Sequence, residues 1–209
     1  MTKTPLLLMG AGGHATACID VIEQDARWEV AGLVVSASEE RQQLLGYPVL
    51  GADEDLAGLL GRFQHALVAV GHVRSAEPRL RLFELLQRLG YTLPAIVSAR
   101  AYVSTHASLG SGTIVMHGAI VNAGARVGRN CIINSQALVE HDAVVADHCH
   151  VATAAVLNGG VRVGAGTFIG SGSRIREGVA IGERCLVGMG QLVLADCESG
   201  TQLPDKAGR

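Results

Sequence analysis

Charge of one sign and aromatic rings are both scarce in this chain. Its 209 residues carry 17 basic against 19 acidic side chains, a formal net charge of −2, and only 3% are aromatic. So even a balance argues against nucleic acid or an anionic membrane as partner. Few rings and 27 glycines suit one or two compact domains. No apolar run approaches the length of a transmembrane span, and Met1–Met9 has no apolar stretch followed by a cleavage site, so we expect a cytosolic protein. There is no disulfide framework either. Four of the five cysteines, Cys131, Cys149, Cys185 and Cys197, take the small inward position of the repeat described next and read as core filler.

What is present is a period of six. Every sixth residue from Val97 to Val193 is aliphatic, seventeen hits in seventeen, against a chance expectation below about 10⁻⁵ at this hydrophobic content. A second series two residues earlier, Ala101 to Cys197, is small except at Gln191. Neither a helix nor a plain alternating strand repeats at six; a parallel β-helix does, with a short strand and a corner in each hexapeptide. Alternate strand residues share a face, so both series point inward. Three hexapeptides close one triangular coil, and residues eighteen apart stack at roughly 4.8 Å. The residues after the aliphatic positions, such as Gly110, Asn122, Gly128, Asn134, Gly170 and Gly188, are expected to supply positive φ at the corners.

The first 94 residues follow another pattern. Pro5–Met9 reads as a strand that runs into Gly10-Ala11-Gly12-Gly13-His14 and then a helix with Ala15, Cys18, Ile19 and Ile22 on one face. Val30–Val35 and Ala66–Val70 read as strands, Asp53–Leu60 as a short helix and Pro78–Leu89 as a helix stopped by Gly90. This alternation predicts a small Rossmann-like parallel α/β domain over 1–94, a β-helix over 95–197 and a tail over 198–209. A ligand crevice is expected beyond the carboxyl ends of the strands, where Gly10, Gly12, Gly13, His14, Gly71 and His72 fall. The glycine loop fits G-x-G-x-x-A, a weak dinucleotide signal. Val35-Ser36 stands where a nicotinamide enzyme needs an acidic residue, so a nucleotide-sugar pyrophosphate at the helix N-terminus is the favoured ligand and a plain tight turn the alternative. His14 either donates to that ligand or caps the turn.

Within the repeat, His141 stands apart from the other histidines because Asp142 follows it at a corner. An imidazole beside a carboxylate is suited to general base chemistry at neutral pH. One coil above it lies Gly159, which leaves room for a substrate and an amide for an oxyanion. His150 points out from a flat face, towards the same groove or that of a neighbouring chain. A metal site is the rival use of these histidines, but His106 and His141 lie two coils apart and His117 at another corner, so no metal is expected.

Gly10-Ala11-Gly12-Gly13-His14-Ala15, Val70-Gly71, Pro94-Ala95-Ile96-Val97 and Asn134…Val139-Glu140-His141-Asp142…His150-Val151…Gly159 together carry a resemblance. The whole chain resembles the sialic acid O-acyltransferase-like and bacterial nucleotide-amino-sugar N-acetyltransferase family of hexapeptide-repeat proteins, which includes the UDP-4-amino-sugar acetyltransferases of bacillosamine synthesis and the perosamine N-acetyltransferases. The resemblance implies a left-handed β-helix, a homotrimer and acetyl-CoA lying between neighbouring helices. It implies His141 as general base oriented by Asp142, Asn134 and His150 at the acetyl group, Gly159 at the oxyanion, and Gly170 and Gly188 at the cofactor. It also implies a nucleotide-linked amino-sugar held by the N-terminal domain. A sugar O-acetyltransferase and a non-catalytic trimeric scaffold are the alternatives. Two features depart from the family: Val35 and Ser36 replace its paired acidic residues, and the segment His72–Pro78 is longer than its usual loop. The end, Leu203-Pro204-Asp205-Lys206-Ala207, lacks the Gly-x-Pro-Ala closing motif.

Overall fold

The computed structural model describes residues 2–204. Thr4–Met9 (β1) lies inside a five-stranded sheet, and Leu6, Leu7, Leu8 and Met9 are all buried, as an inner parallel strand covered on both faces requires. Trp28–Val35 (β2) and His65–Val68 (β5) pair with it in parallel. Tyr47–Ala52 (β4) extends the sheet in parallel beyond β2, and Gln43–Leu44 (β3) closes its edge antiparallel. Nothing in the apolar pattern announces β3 and β4. They are short or interrupted by Pro48 and Gly51, and β4 is nowhere fully buried, so alternation gives no signal.

Helices cover both faces of the sheet. Gly13–Glu23 (α1) packs Ala15, Cys18, Ile19 and Ile22 on Leu6 and Leu8. Leu56–Leu59 (α2) is a single turn. Glu77–Leu89 (α3) lays Leu82, Phe83 and Leu86 on Leu7 and Met9. Pro78 sits in its first turn, where no intrahelical N–H is needed, and Gly90 ends it at φ +93°.

From Ile96 the chain winds into a left-handed parallel β-helix. Its first face stacks Ile96–Val97, Ile114–Val115, Ile132–Ile133, His150–Val151, Phe168–Ile169, Leu186–Val187 and Gln202–Leu203. The second runs from Tyr102–Val103 to Leu192–Val193, and the third from Ser108–Leu109 to Ala180–Ile181. Strands eighteen residues apart pair in register, as Ile132 does with His150 and His150 with Phe168. The aliphatic and small series fill the prism. The last strand, Gln202–Leu203, pairs with Leu186–Val187, so the coil runs on past Cys197; residues 205–209 of the expected tail lie outside the described residues.

Two details of the repeat differ from expectation. From Leu109 to Val187 the positive φ angles come three residues after the aliphatic position, for instance at Gly112, Gly124, Asn130, Gln136, Asp142 and Gly160, and not directly after it. The glycines directly after it serve another purpose. A Cβ on Gly110, Gly164 or Gly170 would lie 2.5 Å from the backbone of the next coil, so these corners stack only without a side chain. Nor are the small inward residues mere filler. The hydroxyl or thiol of Thr113, Cys131, Cys149, Thr167 and Cys185 donates to the carbonyl fifteen or thirteen residues on: Gly128, Ala146, Gly164, Gly182 and Glu198. This column satisfies corner carbonyls that the strand ladder leaves over.

The α/β domain is seated on the first face. Outward-pointing Ile96, Ile114 and Ile132 join the core beneath α1. Arg79 of α3 is wholly buried and clamps the two parts together. Its guanidinium donates to the carbonyls of Val68 (2.5 Å) and Val70 (2.9 Å) on one side and Asn130 (3.1 Å) on the other. Burial draws its pKa down to about 10, which leaves it charged at neutral pH.

Candidate active site

Two clusters of polar residues occupy opposite parts of the prism. The first forms where the α/β domain meets the first face. β1 ends at Gly10, and α1 begins at Gly13 with no side-chain cap and no acidic residue in its first turn, so its free N–H groups face the crevice. Gly10 and Gly12 line a cleft of about 260 Å³ with Ser36, Glu39, Asp53 and Arg81. Gly13, His14, Gly71 and His72 line a separate one of about 400 Å³ with Val73, Asn134 and His150. The structure thus divides the residues expected to bind one nucleotide-sugar between two neighbouring clefts.

In the second cleft His150 is fixed at both nitrogens. Nδ1 donates to the His72 carbonyl at 2.7 Å, which leaves Nε2 to accept from the Asn134 amide at 3.1 Å. His14, His72 and Phe168 stand around it with ring centroids 6.4, 5.5 and 5.2 Å away. Burial, with Arg79 close by, holds all three imidazoles neutral: the pKa falls to about 3 for His14, about 3 for His72 and about 4 for His150. His72 was legible only as a neighbour of Gly71; its ring contacts come from the fold.

The second cluster lies at the corner between the second and third faces, across the prism from His150. His141 Nδ1 donates to Asp142 Oδ2 at 2.9 Å, so Nε2 carries the free lone pair. The pair keeps its geometry because Asp142 adopts the left-handed corner conformation, φ +59°. Glu140 beside it accepts from Asn122 at 2.8 Å. The imidazole is exposed, and its hydrogen bond to the Asp142 carboxylate raises its pKa above the ordinary imidazole value. Gly159 lies against the ring: a Cβ there would fall 2.6 Å from both Nε2 and Cε1.

Gly170 and Gly188, expected at the cofactor, are buried at the corner where one coil stacks on the next, and Gly188 lines a cleft of about 640 Å³ with Val73, Arg74, Phe168, Leu186, Gln202 and Pro204. His117 is not part of either cluster; it bridges Ser98 and Asp20 and ties α1 to the helix. Among the described residues no group of three or more His, Cys, Asp or Glu is placed to hold a metal ion, and no helix is long and apolar enough to cross a membrane.

A left-handed hexapeptide helix carrying an exposed imidazole–carboxylate pair, with a small α/β domain seated on one face, defines a hexapeptide-repeat acyltransferase of the two-domain kind. Residues 5–85 match the family described as the PglD N-terminal domain. A histidine-to-asparagine mutant of perosamine N-acetyltransferase from Caulobacter crescentus, solved with CoA and GDP-perosamine, is 32% identical; the match covers 96% of this chain and 93% of that one, with a TM-score of 0.89. The acetyltransferase domain of PglB from Neisseria gonorrhoeae, in complex with acetyl coenzyme A, is 28% identical over 96% of each chain, with a TM-score of 0.88. WeeI from Acinetobacter baumannii shares the fold at 21% identity over 100% of this chain and 99% of its own, with a TM-score of 0.85. No curated protein matches by sequence. The chain belongs to the bacterial nucleotide-amino-sugar N-acetyltransferase family.

Proposed function

We propose that this protein transfers the acetyl group of acetyl-CoA to the amine of a nucleotide-linked amino-sugar, as a cytosolic homotrimer. The observation that carries the reading is the His141–Asp142 pair, with its free Nε2 against Gly159. The CoA and GDP-perosamine bound to the Caulobacter relative support the same pair of substrates.

The reaction follows from the residues. His141 Nε2 takes a proton as the sugar nitrogen attacks the thioester carbonyl carbon. Asp142 holds Nδ1–H and steadies the imidazolium. The Gly159 amide receives the negative charge that develops on the carbonyl oxygen. Collapse breaks the C–S bond, and the thiolate leaves with the proton that His141 carries, so no acyl-enzyme is formed. Asn134 and His150 line the acetyl group, Gly170 and Gly188 lie along the cofactor, and the glycine loop Gly10–His14 with Gly71 holds the nucleotide-sugar.

Trimer assembly supplies the missing half of each site. Asn134 and His150 face one side of the prism while His141 and Gly159 occupy the opposite edge, so one chain's base serves its neighbour's acetyl site. The second face turns Tyr102, Ile120, Leu138 and Val156 outward on successive coils, with Tyr102 58% exposed, an apolar strip that a neighbour would cover. The test is thiol release from acetyl-CoA with a panel of UDP-, GDP- and CMP-linked amino-sugars and their hydroxyl counterparts. Turnover confined to an amine acceptor is expected; turnover confined to the hydroxyl sugars, or none with either, refutes the assignment.

A further inference from the structure

His72 has no hydrogen-bond partner at either ring nitrogen, although only 6% of the residue is exposed. A buried polar group left unpaired is costly and calls for an explanation. Its neighbours offer none. Both nitrogens of His150 are taken, Phe168 presents only a ring at 6.3 Å, and the Thr167 backbone is near enough to raise the imidazole pKa against burial but completes no hydrogen bond. His72 is one of the residues that line the open cleft with Asn134 and His150, and its two ring nitrogens lie beneath that surface.

That cleft does not end at His72. Val73 is a wall both of it and of the larger cleft that continues past Phe168 and Leu186 to Gly188. His150 and Phe168 pair across adjacent coils, so a ligand running from the first cleft to the second advances one coil, roughly 4.8 Å, as it passes His72. A thioester seated at Asn134 and His150 would place there the group that follows its sulfur by two carbons. In coenzyme A that group is the first amide of the pantetheine arm. A neutral imidazole can donate with one nitrogen and accept with the other, which suits a secondary amide.

We propose that His72 contacts the acyl donor, hydrogen-bonding the thioester-proximal amide of the pantetheine arm. This rests on the acetyl-transfer reading, and it assigns His72 to the acyl donor, not to the nucleotide-sugar that its position beside Gly71 suggests.

The test compares wild type with His72→Leu and His72→Gln, using two truncated donors. S-acetyl-N-acetylcysteamine keeps the amide, and S-propyl thioacetate lacks it. His72→Leu should lower kcat/KM about tenfold with the first donor, the worth of one hydrogen bond, and leave the second unchanged. CoA affinity by calorimetry should fall by a similar factor, KM for the nucleotide-sugar should hold, and His72→Gln should recover part of the loss. Free His72→Leu should melt no lower than wild type, since it removes an unpaired polar group. Equal losses with both donors, or a changed KM for the sugar alone, would overturn the assignment. A wild type that binds no CoA would overturn the acetyl-transfer reading itself.

Discussion

Acidification from pH 7 to pH 5 should strip several kcal/mol from this protein before most carboxylates titrate. The cause is the cluster of His14, His72 and His150, whose folded pKa values stand at about 3, 3 and 4. An unfolded chain would protonate each near 6.5. The unfolded state therefore binds protons that the native state refuses, so stability is fully present above pH 6.5 and falls as the pH drops towards 4. Each group contributes about 1.4 kcal/mol per pH unit, hence about 2 kcal/mol at pH 5 and about 6 kcal/mol for the three. That is comparable with the whole stability of many domains. Half-buried His148, also shifted down, acts in the same direction. Exposed His141, shifted up, acts in the opposite one. Asp25 and Asp147, shifted down, matter only at lower pH. Urea midpoints at pH 7 and pH 5, at one protein concentration, read the effect, and His72→Leu should remove about a third of the slope. A flat profile over this window, or any of the three imidazoles titrating near 6.5 by NMR in the folded protein, would refute the reasoning.

Four further outcomes are expected. Gly159→Ala places a Cβ 2.6 Å from His141 Nε2 and should lower kcat by about 100-fold with little change in Tm, since the displaced ring is exposed; steady-state kinetics beside a melting curve checks it. Asp142→Asn replaces the charged acceptor that raises the His141 pKa with a neutral one, so the acidic limb of the kcat/KM profile should move to lower pH while the plateau falls; an unmoved limb means that His141 is not the titrating base. Arg79→Met strands the carbonyls of Val68, Val70 and Asn130 and should cost at least about 3 kcal/mol by urea unfolding. Cys149→Ala loses the thiol bond to Gly164 and should cost about 1 kcal/mol while leaving turnover intact; a folded but inactive variant would indicate an acyl-cysteine.

The β-helix was legible because its rule is local and repeated. Each inward side chain must be aliphatic or small to fit the prism, so Val97 through Val193 spell the period without reference to any distant residue. His141, Asp142 and Gly159 were legible for the same reason, since a spacing of eighteen residues becomes a contact once coils stack. The strands of the sheet that are buried on both faces, such as Leu6–Met9, were equally plain, whereas Tyr47–Ala52 at the exposed side was not. The seat of the α/β domain on the first face was decided only in three dimensions. Buried Arg79 sits in a helix whose sequence reads as amphipathic, and its carbonyl partners lie as far as 51 residues away. The same closure buries His72 and His150 and depresses their pKa values, because desolvation depends on which surfaces meet and not on which residues are neighbours in the chain. Positive φ at the corners likewise fell where stacking, not the glycine pattern, required it: glycine after an aliphatic residue marks a close approach between coils, and the turn itself is made two residues later, even by Asn130, Gln136 and Asp142.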